Sequence, residues 1–453
     1  MYTKVATKTV LACLFLLLWF SSSYTVLAKH VQYTSDEQAV FADLENLNYE
    51  VPDFESGQSL TNKRLGVIHP IPPNRGTGND SWDLSYFENT TFHNDYHPLY
   101  EVDEFLEHIA ALFPERVTLF ELGHSAEGRE MYAVRISSNA DAVVRGGERR
   151  TGFVISGAQH AREWISTSSA LYLIHLLASV PSSSTSILGG LLEQFDFHII
   201  PVPNPDGYVY TWENDRLWYK TRMPLGPGES CQGLDMNRNW GFHWSPSEYP
   251  ELTLNGEISH NSPELEDLLL LSTIQPDDFT ILKKKKKKSK NGKKPKVPAP
   301  KPADPCSHWY PGHRPFEAPE VNNIANYIQQ TPGLNAFLDL RSYGQMLSYP
   351  YSYSCDFISP DAEDQFEAAL GMAHSITKKH GSVYTVGSLC SMLYPAPGNI
   401  VDWMYGTAGI KFSYAIHLRD LGTYGYALPP EEIIPVGKET ASMVEYLAEF
   451  MLR

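Results

Sequence analysis

The sequence predicts an α/β fold. Helix-like and strand-like segments alternate from His93 to the end of the chain, and no segment repeats. With 453 residues, 42% of them hydrophobic, the chain can build one large domain with appendages. The first helix is expected over 101–113, stopped by Pro114. Strand-like runs follow at 117–122, 131–136 and 153–156, and then a helix over 165–178 that Val180-Pro181 ends. Residues 197–202 read as a buried strand leading into Asn204-Pro205-Asp206-Gly207, a turn signal. Strands at 337–340 and 412–418 and helices at 362–378 and 431–451 complete the pattern.

The ends and cysteines point to the secretory route. Lys4 and Lys8 precede an apolar run over 10–20, and Val26-Leu27-Ala28 offers a small-residue cleavage site, so 1–28 reads as a signal peptide. That run is too short to span a bilayer and no later stretch is longer, so no membrane span is expected. Removing Cys13 leaves Cys231, Cys306, Cys355 and Cys390, an even count suited to an oxidising compartment, with three pairings open. Asn79 and Asn89 begin glycosylation sequons. Residues 29–92 are polar and lack periodicity, and the folded domain is expected over 93–453.

Net charge is −17, yet eleven of the 36 Lys and Arg lie between Lys283 and Lys301. The acidic remainder argues against nucleic-acid binding and for a solvated basic segment. Together with a leucine cluster it forms an interruption over about 249–304, either a surface insertion or a translated intron.

The chemistry-bearing stretch is Gly157-Ala158-Gln159-His160-Ala161-Arg162-Glu163-Trp164, between an expected strand and an expected helix. A His and a carboxylate three residues apart at such a turn can address one metal ion. Further along stand NPDGYVYTWENDRLWYKTR at 204–222, DMNRNW at 235–240, SYGQMLSYPY at 342–351 and LRDLGTYGYALPPEEIIP at 418–435. In these motifs and their order the chain resembles the zinc carboxypeptidases typified by pancreatic carboxypeptidase A, over about 93–453 apart from the insertion. The resemblance implies a three-layer α/β/α sandwich around a mixed eight-stranded sheet, with zinc held by two His and one Glu. It also implies removal of one C-terminal residue, with a Glu as general base and arginines holding the carboxylate and the oxyanion.

Carried over by position, the resemblance makes His160 and Glu163 zinc ligands and Asp235 the carboxylate that orients His160. Arg162, Asn237, Arg238, Tyr343 and Tyr394 become substrate-binding residues, and Val401 implies preference for an apolar terminal side chain. Cys231 and Cys306 match a family disulfide, which leaves Cys355 with Cys390.

Three positions depart from the pattern. The third ligand is Arg341, the oxyanion arginine is Tyr219, and the general base is His417. Arginine has no lone pair to offer a metal, so zinc occupancy is in question. A fungal branch of the family, secreted or vacuolar, held to be inactive and linked to cell-wall organisation, also lacks the general-base Glu but typically carries Lys there. The expectation is therefore a monomeric, secreted or vacuolar pseudoenzyme that binds peptide or protein C-termini. The competing reading is an active zinc carboxypeptidase removing apolar C-terminal residues.

Overall fold

The computed structural model describes residues 82–138, 150–180, 187–247 and 303–453. The signal peptide, Asn79 and nearly all of the basic insertion lie outside these residues. Seventeen helices and strands matter here. In chain order they are α1 (Leu99–Leu112), β1 (Val117–His124), β2 (Glu130–Ile136), β3 (Thr151–Ser156), α2 (Trp164–Ser179), α3 (Ile187–Gln194), β4 (Phe195–Ile200), α4 (Pro205–Glu213) and α5 (Pro319–Gln330). They continue as β5 (Leu334–Arg341), β6 (Met346–Tyr349), α6 (Ala362–His380), β7 (Thr385–Ser388), α7 (Leu389–Met392), α8 (Ile400–Gly406), β8 (Phe412–His417) and α9 (Ile433–Met451).

The eight strands form one sheet in the order β1-β2-β4-β3-β5-β8-β6-β7. The four central strands β4, β3, β5 and β8 run parallel, while β1, β2 and the β6–β8 pair introduce antiparallel contacts. Central strands are therefore largely buried on both faces and need apolar residues on each. Along β3, Phe153 and Ile155 join a core with α1, α2, α6 and α9, while Val154 points into a second core with α5 and α8. Along β5, Leu338 and Leu340 face the first core and Phe337 the second. Period-2 alternation thus divides the strand between two helical layers, giving the expected mixed eight-stranded α/β/α arrangement.

Two readings need correction. Asn204-Pro205-Asp206-Gly207 starts α4 instead of ending in a turn. The Asn204 side chain accepts a hydrogen bond from Gly207 N at 3.1 Å, and Pro205 sits where its fixed φ suits a first helical turn. The domain also begins ahead of His93, because Leu84 and Phe92 are buried in the first core.

That leading segment is held by a histidine pair. His175 on α2 donates through Nε2 to the Leu84 carbonyl at 2.9 Å, so its Nδ1 is the acceptor for His93 Nε2 at 3.1 Å. Phe87, Phe105 and Tyr172 close around the pair. The nearby titratable groups are Asp83, His97 and Glu101, the last two bonded to each other at 2.6 Å. Burial pushes His175 down to about 4 and, together with the neighbouring His175 and His97, holds His93 well below the ordinary histidine value. Because the folded-state affinity for protons is depressed, the pair's stability is intact above about 6.5 and is lost as pH falls toward 4. Buried carboxyls such as Glu320 act in the opposite sense, since burial raises it to about 7. The measurement is therefore a difference: the acid-induced loss of unfolding free energy should shrink in His175→Leu by roughly 3 kcal/mol. Parallel pH profiles for the two proteins would show that the pair does not titrate with folding.

Candidate functional site

The site lies at the carboxyl ends of three neighbouring parallel strands, where open α/β sheets place ligands. The loop after β3 brings His160, Arg162 and Glu163 to the start of α2, while Arg341 ends β5 and His417 ends β8. Arg341 and His417 are register partners, so their side chains leave the sheet on the same face. Gly157 lets the β3 loop pass close to β4, because a Cβ there would run into the Pro201 carbonyl. Asp235, Asn237 and Arg238 arrive on a short 3-10 turn that the Asp235 side chain caps through Asn237 N at 2.8 Å.

The centre is a dense, buried charge network. His160 Nε2 faces Asp235 Oδ1 at 2.9 Å, and its Nδ1 faces Glu163 Oε1 at 3.0 Å. The Arg341 guanidinium lies against that same edge. Its Nε donates to Glu163 Oε2 at 3.2 Å, its Nη2 to Glu163 Oε1 at 3.4 Å, and its Nη1 to Asp339 Oδ2 at 3.5 Å. Arg341 Nη2 also makes a short contact with His160 Nδ1. With the Nε2 proton directed at Asp235, Nδ1 carries a lone pair and accepts from the guanidinium. Backbone Ser342 N adds a bond to Glu163 Oε2 at 3.3 Å. Asp339, which no sequence motif singled out, takes two bonds from Gln159 Nε2 at 2.9 and 3.0 Å.

Protonation follows from these contacts. Burial would raise the Glu163 carboxyl, but the Arg341 guanidinium holds it down to about 2. Asp339 is pushed up to about 6 by burial, which outweighs Arg341 and Gln159. Arg341 stays charged, since Glu163 and Asp339 overcome its desolvation. His417 is driven down to about 3 by burial first and then by Arg341, and its buried Nδ1 has no hydrogen-bond partner among the described residues. It stays neutral. Tyr219, at the position where the resemblance expects the oxyanion arginine, stacks on His160, with ring centroids 3.7 Å apart. It supplies no cation there.

These residues do not fit a zinc ion. The two expected donors, His160 Nδ1 and Glu163, already face a guanidinium, and Arg341 cannot coordinate. No group of three or more His, Cys, Asp or Glu among the described residues is placed to hold a metal.

The residues expected to bind a carboxylate lie together on the other side of the site. Arg238 Nη2 donates to the Tyr394 hydroxyl at 3.2 Å, and Asn237 Oδ1 accepts from Ile400 N at 3.0 Å. That bond ties the binding turn to the start of α8, where Val401 is buried. Gly398 permits the approach, with φ at +73° and no room for a Cβ beside the Arg238 carbonyl. Arg162 lies over the Tyr426 ring at 4.1 Å and donates to its hydroxyl at 3.3 Å. Tyr343 packs edge-on against Tyr426 at 5.0 Å. Arg216, unassigned from sequence, clamps this wall by donating to the Arg162 carbonyl at 2.7 Å and the Tyr426 carbonyl at 2.6 Å while lying 3.6 Å over Trp164. Only an unusual charge inside a buried stretch could have pointed to Asp339. Nothing in composition or spacing marks Arg216 or Tyr426.

The disulfides Cys231–Cys306 and Cys355–Cys390 are both formed, each with a Cα separation of 5.2 Å. Asn89 is exposed in a turn. No helix among the described residues is long and apolar enough to cross a membrane.

Comparison with known proteins follows the same lines. The sequence model for the family described as zinc carboxypeptidase matches residues 102–280 and 294–443. Proteins named inactive metallocarboxypeptidase are similar: that of Ajellomyces dermatitidis is 33% identical over 430 residues, covering 87% of this chain and 63% of that one. That of Sclerotinia sclerotiorum is 33% identical over 380 residues, covering 80% of this chain and 54% of its own. The chain thus spans less than two thirds of the length of these relatives. Among solved structures, bovine thrombin-activatable fibrinolysis inhibitor in complex with tick carboxypeptidase inhibitor shares 28% identity at a TM-score of 0.62, over 80% of this chain and 99% of that one. Carboxypeptidase A from Helicoverpa armigera shares 26% at 0.60, over 79% and 74%.

Proposed function

This chain belongs to the zinc carboxypeptidase family, and we propose that it is a pseudoenzyme that binds the C-terminal carboxylate of peptides or proteins without cutting them. One observation carries the reading: the Arg341 guanidinium lies on both retained metal-binding side chains, His160 and Glu163, while Arg238 and Asn237 keep their place beside Val401. The names of the fungal relatives support it. Docking needs no metal. Arg238 is bonded to a neutral phenol at Tyr394, and an incoming carboxylate is a stronger, charge-assisted acceptor that displaces it. Buried Val401 favours an apolar last residue.

Calorimetry with short peptides ending in Phe or Leu should show weak binding that falls at least about tenfold in Arg238→Ala, the loss of a charge-assisted bond. C-terminally amidated peptides should not bind. Equal binding by amidated peptides would place recognition elsewhere. The proposal extends to location. A secreted or vacuolar monomer with a glycan on Asn89, acting in cell-wall organisation, is consistent with the leading apolar segment and the two disulfides.

A further inference from the structure

We infer that the Arg341 guanidinium is a built-in substitute for the family's metal ion, holding His160 and Glu163 through N–H bonds where a cation would hold them through lone pairs. The case is one of matching atoms. A metal in this fold needs a lone pair on His160 and a Glu163 carboxylate, and Arg341 engages both of those groups. Behind them, Asp235 holds His160 Nε2 at 2.9 Å, the arrangement that orients an imidazole toward a cation. The guanidinium has further donors, and one reaches Asp339. Two carboxylates beside the cation are buried to the point of full enclosure, with Glu163 1% and Asp339 0% exposed. Leaving either without a cation would be costly, so Arg341 balances charge as well as geometry. His417 completes the picture. As the register partner of Arg341 it is buried beside the guanidinium, and its Nδ1 has no hydrogen-bond partner among the described residues.

The substitution has a reciprocal consequence. Arg341 both fills the metal position and repels a divalent ion from it, so folding of this site is independent of metal supply. The inference does not depend on peptide docking, and its experiment reads metal content and stability instead.

Wild type, Arg341→Met and Arg341→His are purified, analysed for metal, and melted with chelator or with added zinc. Wild type should carry well under one zinc per chain and melt at the same temperature in chelator and in zinc. Arg341→Met should melt roughly 5–10 °C lower, the loss expected when buried carboxylates lose their partner. Arg341→His should take up about one zinc per chain and regain its melting temperature only when zinc is present. Should Arg341→Met fail to fold, Arg341→His with and without zinc still decides. Folding only with zinc supports the substitution, and failure in both conditions overturns it. Wild type holding one zinc that is lost in His417→Ala would overturn it too, as would Arg341→Met melting like wild type.

Discussion

The purified protein should release no C-terminal residue from an N-terminally blocked dipeptide above a His160→Ala control, at any pH from 5 to 9 on the order of one unit apart. Two losses set the scale without reference to the metal. An oxyanion donor is worth about 10² to 10³ in rate, and at the position expected to supply it stands the Tyr219 ring, stacked on His160. General acid–base catalysis contributes about 10² to 10⁴, and His417 is a poor base because burial and Arg341 drive it down to about 3. A base serves best when its pKa lies near the working pH, so neutrality alone does not make this imidazole competent. The effects do not simply add, but either one alone removes most of the rate. Turnover that a chelator abolishes, at an appreciable fraction of an active family member, would reject the pseudoenzyme reading.

Strong local signals carried most of the fold. The helices over α1, α2, α6 and α9 and the strands β1 to β5 and β8 were legible to within a few residues, because each helix is long and each strand carries an apolar run. Short elements were not. β6 and β7 have four residues each, too few to show a period, and β7 lies at the sheet edge with little burial. α8 depends on a single Asn399 cap, and α5 lies just beyond the basic insertion. In α4 the turn residues won the sequence reading although Asn204 and Pro205 were acting as cap and first helical residue.

The site divides similarly. His160, Glu163, Asp235, Asn237 and Arg238 follow from contiguous motifs, and the structure brings them together. Arg341 and Tyr394, which also act across long sequence separations, were assigned only through the motif match, and residues which that match did not assign could not be read. Asp339 meets Gln159 from a strand 180 residues away, and Arg216 meets Tyr426 over 210 residues. Their roles exist only once the sheet has assembled.

The loop that carries Tyr426 supplies the last test. Arg419 comes just after β8, past Leu418, and reaches α9, where its Nε donates to Glu439 Oε2 at 2.9 Å and its Nη2 makes a short contact with Oε1. A third bond runs from Nη1 to Glu432 Oε2 at 2.6 Å. Beyond Arg419, Asp420 gathers the loop by accepting from Gly422 N at 2.8 Å, Tyr424 N at 2.6 Å and Gly425 N at 3.0 Å. The Arg419–Glu439 pair therefore anchors the base of the wall that Arg162, Tyr343 and Tyr426 form. Glu439 is 1% exposed, so stripping its guanidinium strands a buried carboxylate on Ser382 and His380 alone. Arg419 itself is 17% exposed, which places the loss at the lower end of the usual range for breaking a buried pair. Urea unfolding of Arg419→Met should show a loss of about 3 kcal/mol. Glu432→Gln, at a side chain 34% exposed, should cost under about 1 kcal/mol. Adding Glu439→Gln to Arg419→Met should recover part of the loss by removing the stranded charge. If Arg419→Met costs no more than Glu432→Gln, Ser382 and His380 suffice for Glu439 and the anchor lies elsewhere.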